Sequence, residues 1–357
     1  MNYKPMPIVT SVILETIHWV GQFQMEIHHH LNDNNQIIPT DYPSILFANH
    51  VYTWDFFPLA SIYSRTNPKV RVCAPIRGDI HDSKFLEKEF RPNELILPLI
   101  RILDSQKLVS RLFSTLDIVP VTRPFRDNYK ELVRSGEFEK AIERDWENLA
   151  NKIKEGDNLF LFPEGGFTLD GSIRPIKAGV YRLLQHVGQI SFYFVNLTFD
   201  FISKEKPTCH INYGYRFTTS SSPSSVEVTN LMQKALEESF TLTLGNWFGA
   251  LLYSDQLKNG ISLDELHDIC MKIEENWKKS SKNRDTHLQD DFLGAFLKKI
   301  ENFQRKGWIR WADHKIQTQS LFYDHESKIW NQDMKNTYLF HKNQLKGMKN
   351  LLEPLVL

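Results

Sequence analysis

Hydrophobic and polar positions along the chain alternate between two spacings. Short, nearly continuous apolar runs at 44–49, 70–74, 117–121, 158–162, 191–199 and 208–216 read as buried strands. Between them, apolar residues recur every three or four positions at 55–64, 94–114, 136–154 and 178–187, the spacing of helices with one buried face. This alternation predicts an α/β fold, a largely parallel sheet flanked by helices. Past the Ser/Pro-rich stretch Thr218 to Ser225 the pattern turns helical, at 228–242, 263–279, 287–305 and 326–350. Asp264 and Glu265 follow Ser262, the signature of a capped helix start. At the other end, Met6 to Gln24 reads as an amphipathic helix with Val9, Ile13, Ile17 and Val20 along one stripe. A polar connector, Asn32 to Asn35 and Pro39 to Pro43, follows it. Three parts result: an N-terminal amphipathic helix (1–34), an α/β domain (35–220) and a helical accessory region (221–357).

Composition narrows the class. The 357 residues are 41% hydrophobic and 12% aromatic, enough for a sizeable core. Lysine and arginine balance aspartate and glutamate at 43 each, which excludes nucleic-acid binding by bulk charge. The segment Lys130 to Glu155 is dense in both signs and reads as an exposed helix face. Cys73, Cys209 and Cys270 share no close spacing and an odd count does not suit a disulfide framework, so a reducing compartment is expected. No metal-ligand spacing is present; in the run His28-His29-His30, neighbours on a helix would point about 100° apart. No stretch reaches the ~18 consecutive apolar residues of a membrane span, and Glu15 and His18 interrupt the N-terminal apolar part, which does not read as a signal peptide. Trp308 and Trp311, beside Lys306 and Arg310, read either as core aromatics with basic neighbours or as a membrane-facing patch.

Two predicted strands end in residues capable of chemistry. Ile45-Leu46-Phe47-Ala48 runs into Asn49-His50-Val51-Tyr52-Thr53-Trp54-Asp55, which contains His-x4-Asp. The strand at 158–162 runs into Pro163-Glu164-Gly165-Gly166. Ligands of open α/β sheets bind beyond the carboxyl ends of strands, so both segments fall where a site is expected. Activating a hydroxyl takes a base, usually histidine, and a working imidazole takes a carboxylate on its other nitrogen to fix the tautomer. His50 and Asp55 are candidates for these roles. Positions five apart on a regular helix diverge by about 140°, so the pairing requires His50 ahead of the helix and Asp55 in its first turn, turned back. An acid there also suits the helix dipole. The plainer readings are a strand-end histidine bonded to a carbonyl and a turn glutamate bonded to an amide. Arg77, after the strand at 70–74, is either a cleft residue or a solvated loop arginine.

These motifs in this order resemble the glycerolipid (PlsC-like, 1-acylglycerol-3-phosphate) acyltransferase family. Between them, Ile118-Val119-Pro120-Val121-Thr122-Arg123 resembles that family's second block, an apolar strand closed by an arginine. After the second motif, Asp170-Gly171-Ser172-Ile173-Arg174-Pro175-Ile176-Lys177-Ala178-Gly179 is similar to its Asp-Gly, Pro, Lys and Gly pattern. The resemblance spans residues 35–215 and does not reach the C-terminal third. It implies direct acyl transfer from acyl-CoA or acyl carrier protein, as co-substrate and without a cofactor, to a hydroxyl of a lysophospholipid-type acceptor. His50 would be the base and Asp55 its orienting partner; Glu164 and Gly165 would position the acceptor and Arg123 would bind its phosphate. Where the family continues Thr-Arg-Ser, this chain has Gly166-Phe167-Thr168. Thr168 keeps a hydroxyl, but Phe167 offers neither charge nor donor, which leaves Arg174 or Lys177 as the second cation. Glycerol 3-phosphate or a non-phosphate lipid therefore stays open as acceptor, and a non-catalytic lipid-binding protein is the reading from another class. A lipid acceptor implies a membrane surface as partner and a cytoplasmic, peripheral location on a membrane's inner face. The N-terminal helix would then lie at the bilayer interface with Trp19 near the head groups; its plainer role is docking on the protein's own core.

Overall fold

The computed structural model describes residues 5–31, 43–51, 54–66, 70–77, 84, 87, 97–107, 111, 115–122, 129–166, 168, 170–172, 174–219, 223–280, 283–284, 292–324, 327–329, 332–334, 336–345 and 352–355. Seven strands form its main sheet: β1 (Glu26–His30), β2 (Ser44–Ala48), β3 (Val72–Arg77), β4 (Ile118–Val121), β5 (Asn158–Leu161), β6 (Ser191–Asp200) and β7 (Thr208–Thr218). Their order across the sheet is β1-β7-β6-β2-β5-β3-β4. From β6 to β4 every neighbour is parallel; β7 runs antiparallel to β6, and β1 pairs parallel with β7. The strands at the centre are apolar in succession rather than in alternation, because helices cover both faces.

Each face has its own core. On one side, α1 (Ile8–Gln24) and α2 (Phe56–Arg65) cover Leu46, Phe160, Val195, Leu197 and Ile211. The two helices approach closely at Gly21, where a Cβ would come within 3.0 Å of Phe57. On the other side, after α3 (Leu97–Ser105) and α4 (Tyr129–Arg134), the helices α5 (Phe138–Lys154), α6 (Gly179–Val187) and α7 (Ser225–Glu238) follow. Residues of α5, α6 and α7 pack there on Ile45, Phe47, Leu159, Leu161, Phe192 and Phe194. Buried apolar area of this kind contributes about 25 cal/mol per Å² and is the main stabilising term.

The N-terminal segment forms the expected helix, followed by a strand not foreseen. In an extended strand side chains alternate, so His29 turns inward while His28 and His30 face the other way and stack on His210. His29 Nδ1 and Nε2 lie 2.8 Å from the Tyr213 and Ser61 hydroxyls. Burial, aided by the nearby Arg65 charge, pulls its pKa down to about 3, so it is neutral at physiological pH.

The last third is mixed rather than helical. Helices α8 (Leu244–Leu252), α9 (Asp255–Asn259), α10 (Leu263–Lys278) and α11 (Phe292–Arg305) surround a third core that includes Trp247, Phe248, Phe296, Phe303, Trp308 and Phe322. Ser262 caps α10 as its sequence indicated, in a reciprocal box with Glu265. Three strands, β9 (Ile261–Ser262), β11 (Ile309–Ala312) and β12 (Lys315–Thr318), form an antiparallel sheet. The helix expected at 228–242 is α7, which begins earlier at its Ser224 cap and ends at Glu238, and a further pair joins β8 (Thr241–Leu242) to β10 (Asn283–Arg284). The helix expected at 326–350 is instead a hairpin of β13 (Ser327–Ile329) and β14 (Gln332–Met334), followed, after the short α12 (Ser320–Tyr323) upstream, by α13 (Thr337–Asn343). The reason lies at Asn336: its side chain accepts the Tyr338 and Leu339 amides and so starts a new helix there. Of the two candidate membrane-patch tryptophans, Trp308 is core, with Lys306 over its ring at 4.3 Å, and Trp311 is exposed.

Candidate active site

The site forms where the central strands β2 and β5 end side by side. Beyond Ala48 the chain turns at Asn49, whose buried side chain accepts the Leu197 amide at 2.6 Å and donates to the Leu197 carbonyl at 2.9 Å. This two-point bond to the neighbouring β6 fixes the next residue, His50, over the sheet's carboxyl edge. Asp55 stands at the N-cap position of α2, one residue before the helix rather than within its first turn, and its side chain does not cap that helix. It turns back instead. Its Oδ2 lies 2.9 Å from His50 Nδ1 and accepts the Val51 amide at 3.0 Å. The carboxylate is almost wholly buried while the imidazole is about one-fifth exposed (side chains 2% and 21%). A buried acceptor at Nδ1 places the proton there and leaves Nε2 as the basic nitrogen. Phe162 stacks on the imidazole, with ring centroids 4.2 Å apart and planes 17° from parallel.

The second motif meets the first through Glu164. This glutamate is fully buried; its Oε1 accepts the His50 amide at 2.8 Å and its Oε2 the Arg174 amide at 2.9 Å. Burial pushes its pKa up to about 7, against the opposing pull of the two amides. Glu164 thus binds the two loops together through both carboxylate oxygens. Gly165 (φ +70°) and Gly166 (φ +159°) turn the chain beyond it in conformations that side chains disfavour. The Lys177 amide returns to the Pro163 carbonyl at 2.9 Å, closing the loop. Arg174 and Lys177 are exposed, and their side chains run beside the two glycines: a Cβ at Gly166 would stand 3.3 Å from the guanidinium of Arg174, and one at Gly165 3.6 Å from Lys177 Cγ.

The Thr168 hydroxyl is engaged within the loop. Its Oγ1 donates to the Ser172 carbonyl at 2.7 Å, and Ser172 N donates to Asp170 Oδ1 at 3.1 Å, so it shapes the loop. Arg123, Phe167 and the side chain of Arg77 lie outside the described residues. Phe162 and Asn343, which donates to the Asp170 carbonyl at 2.8 Å, were not foreseen as parts of the site. An aromatic next to the Pro-Glu pair is a faint signal for the first; nothing local signals the second. Among the described residues, one group has metal-ligand spacing: exposed Glu143 and Glu147 with His186, in the last turn of α6, the end away from His50.

No family model and no curated protein matches the chain. Among solved structures it is similar to the 1-acyl-sn-glycerophosphate acyltransferase PlsC from Thermotoga maritima, at 15% identity and a TM-score of 0.39, over 64% of this chain and 78% of that one. A likeness at that level leaves function to be argued from the site's own geometry.

Proposed function

We propose that the protein is an acyltransferase that moves a fatty acyl group from acyl-CoA or acyl carrier protein to a hydroxyl of a lysophospholipid-type acceptor. The observation that carries this reading is the His50–Asp55 pair at the carboxyl edge of the sheet, tied by Glu164 to the glycine-rich loop beside it. His50 Nε2 takes the proton of the acceptor hydroxyl as that oxygen attacks the thioester carbonyl. Asp55 holds the proton on Nδ1 and stabilises the imidazolium that forms. When the tetrahedral intermediate collapses, the C–S bond breaks and the imidazolium returns the proton to the departing thiolate. The acceptor oxygen attacks directly, so the enzyme itself is not acylated. Arg174 and Lys177, exposed next to Gly165 and Gly166, suit an anionic head group and stand in for the arginine that Phe167 replaces.

A membrane surface supplies such acceptors. On α1, Ile8, Val12, Trp19 and Phe23 are 82%, 58%, 60% and 64% exposed along one face, while Thr10 and Gly21 are buried against the protein. An apolar face of that kind lies in the bilayer interface with its tryptophan at head-group depth. Among the described residues, no helix is long and apolar enough to cross a membrane.

The test is thiol release from a long-chain acyl-CoA, and in parallel from acylated carrier protein. Lysophosphatidic acid, other lysophospholipids and glycerol 3-phosphate are offered separately, with His50→Ala as control. Acceptor-dependent release that vanishes in the variant is the expected result. Folded wild type that releases no thiol with either donor overturns the enzyme reading and leaves a lipid-binding protein.

A further inference from the structure

The loop after Glu164 does not hold its shape alone. It runs against α13, a helix from the far end of the chain. At Gly171 (φ +73°) a Cβ would stand 2.3 Å from the Phe340 carbonyl oxygen and 2.8 Å from its ring, so the loop lies directly on the helix backbone. One residue earlier, the Asp170 carbonyl accepts the Asn343 side-chain amide at 2.8 Å. Three residues later, Arg174 N is held by Glu164, and Glu164 holds His50 N. A continuous path of hydrogen bonds and backbone contact therefore runs from α13 to the residue that carries the base.

The helix itself is fixed from behind. Phe340 is fully buried and belongs to the core on the α1–α2 side of the main sheet, packed on Phe201. Asn246 of α8 donates to the His341 carbonyl at 2.9 Å, and at Gly249 a Cβ would stand 2.4 Å from the Tyr338 carbonyl oxygen, so α8 and α13 touch backbone to backbone. The Phe201 amide donates to His341 Nε2 at 3.2 Å. Held on both sides, α13 is a rigid support rather than a passing contact.

We infer that α13 is a working part of the acceptor site, with Asn343 as a positioning residue that sets the 168–174 loop through its bond to the Asp170 carbonyl. This rests on the acyltransferase reading for its kinetic consequence but not for its structural one. On the proposed function Arg174 and Lys177 of that loop meet the acceptor, so a displaced loop raises the KM for the acceptor and leaves the KM for the donor where it was. Any part played by residues 221–357 is then felt at the active site, beyond their own packing.

The experiment compares full-length wild type with Asn343→Ala and with Asn343→Gln, which keeps the donor on a longer arm. Hydrogen exchange over residues 168–177 is read beside acceptor and donor KM, with urea unfolding to confirm the fold. In Asn343→Ala, exchange at the Arg174 amide is expected to quicken and acceptor KM to rise about fivefold, the effect of one ordinary hydrogen bond. Donor KM stays unchanged and the Gln variant recovers part of the loss. Unchanged loop exchange in a folded Asn343→Ala overturns the inference, as does an equal change in donor and acceptor KM. If wild type proves inactive with every acceptor, the acyltransferase reading falls, and the exchange data still decide whether α13 holds the loop.

Discussion

The two loops that meet at the site are built on opposite plans. The loop at 49–55 is nearly self-contained: its base and its carboxylate are five residues apart, and Asp55 takes both the His50 ring and the Val51 amide. Two of its residues also reach further: Asn49 to Leu197, and His50 through its amide to Glu164 and through its ring to Phe162. The loop at 162–177 is held from outside. Glu164 answers to His50, 114 residues away, and Asp170 to Asn343, 173 residues away. On the proposed function, the base and its carboxylate sit together on the first loop, and the loop proposed to meet the acceptor is assembled from distant parts. The base–carboxylate pair is set within five residues, whereas the second loop is set wherever a distant partner bonds it.

The sharpest way to break that comparison is at the first loop. His50→Ala removes the base and is expected to lower acyl transfer by roughly 10²–10⁴-fold with the fold intact by circular dichroism. Asp55→Asn keeps the shape but offers an amide group where the carboxylate fixed the tautomer, and a loss of similar order is expected. If Asp55→Asn retains activity within tenfold of wild type, the pair is structural and the proposed mechanism fails.

Glu164 comes next because it belongs to both loops. Glu164→Gln leaves one of two backbone amides facing an amide NH₂, at a cost of about 1–3 kcal/mol in urea unfolding. The pH dependence has a definite sign. A carboxyl raised from 4.5 to about 7 is favoured neutral in the folded chain, so its contribution to stability is fully present below 4.5 and is lost as pH rises to about 7. The stability of wild type relative to Glu164→Gln therefore falls across that window, by up to about 3 kcal/mol, and is flat above it. Activity runs the other way, because accepting two amides takes the ionised form. A stability difference that does not change with pH would show that the carboxylate is already ionised throughout.

Gly171→Ala tests the assembled loop from its far side. The new methyl would meet the Phe340 carbonyl at 2.3 Å in a left-handed conformation, so either the loop or α13 must move. A destabilisation of about 1–3 kcal/mol is expected, together with loss of acceptor binding. Gly188→Ala is the comparison: at φ +73° and ψ −141° it has nothing within 4 Å of its Cβ, so any loss there is backbone strain without a contact.

The same contrast explains what could be read in the sequence. Most of the alternation of strands and helices over 44–216 was legible because each element's burial is written in its own period, though the helix read at 94–114 ends at Ser105, before Lys107 at φ +50°; His-x4-Asp was legible because the pair closes within one turn. Glu164 was legible as a residue, but its bonds to two backbone amides were not, since no side-chain pattern records such donors. The bond of the Thr168 hydroxyl to the Ser172 carbonyl was hidden for the same reason. The His28–His30 strand and the hairpin before α13 were missed because a polar run and an asparagine cap overrode the apparent period. Asn343 was beyond reach, because its only sequence signal is an ordinary asparagine in an ordinary helix.

The smallest expected effect is also the one that narrows the substrate. Arg174 and Lys177 are exposed, so each works against high-dielectric solvent and contributes little to stability; an exposed ion pair is worth about 0–1 kcal/mol. Their effect on binding depends on what they face. If the acceptor carries a phosphate, Arg174→Ala with Lys177→Ala raises the KM for lysophosphatidic acid by roughly 2–10-fold at low salt, and the effect fades as ionic strength shortens the Debye length from about 30 Å at 0.01 M to about 8 Å at 0.15 M. A neutral lysolipid shows no change at any salt. The opposite result, equal loss for charged and neutral acceptors and no salt dependence, would mean that the two side chains serve the loop through their stems beside Gly165 and Gly166. The acceptor would then have to be a lipid without an anionic head group at that position.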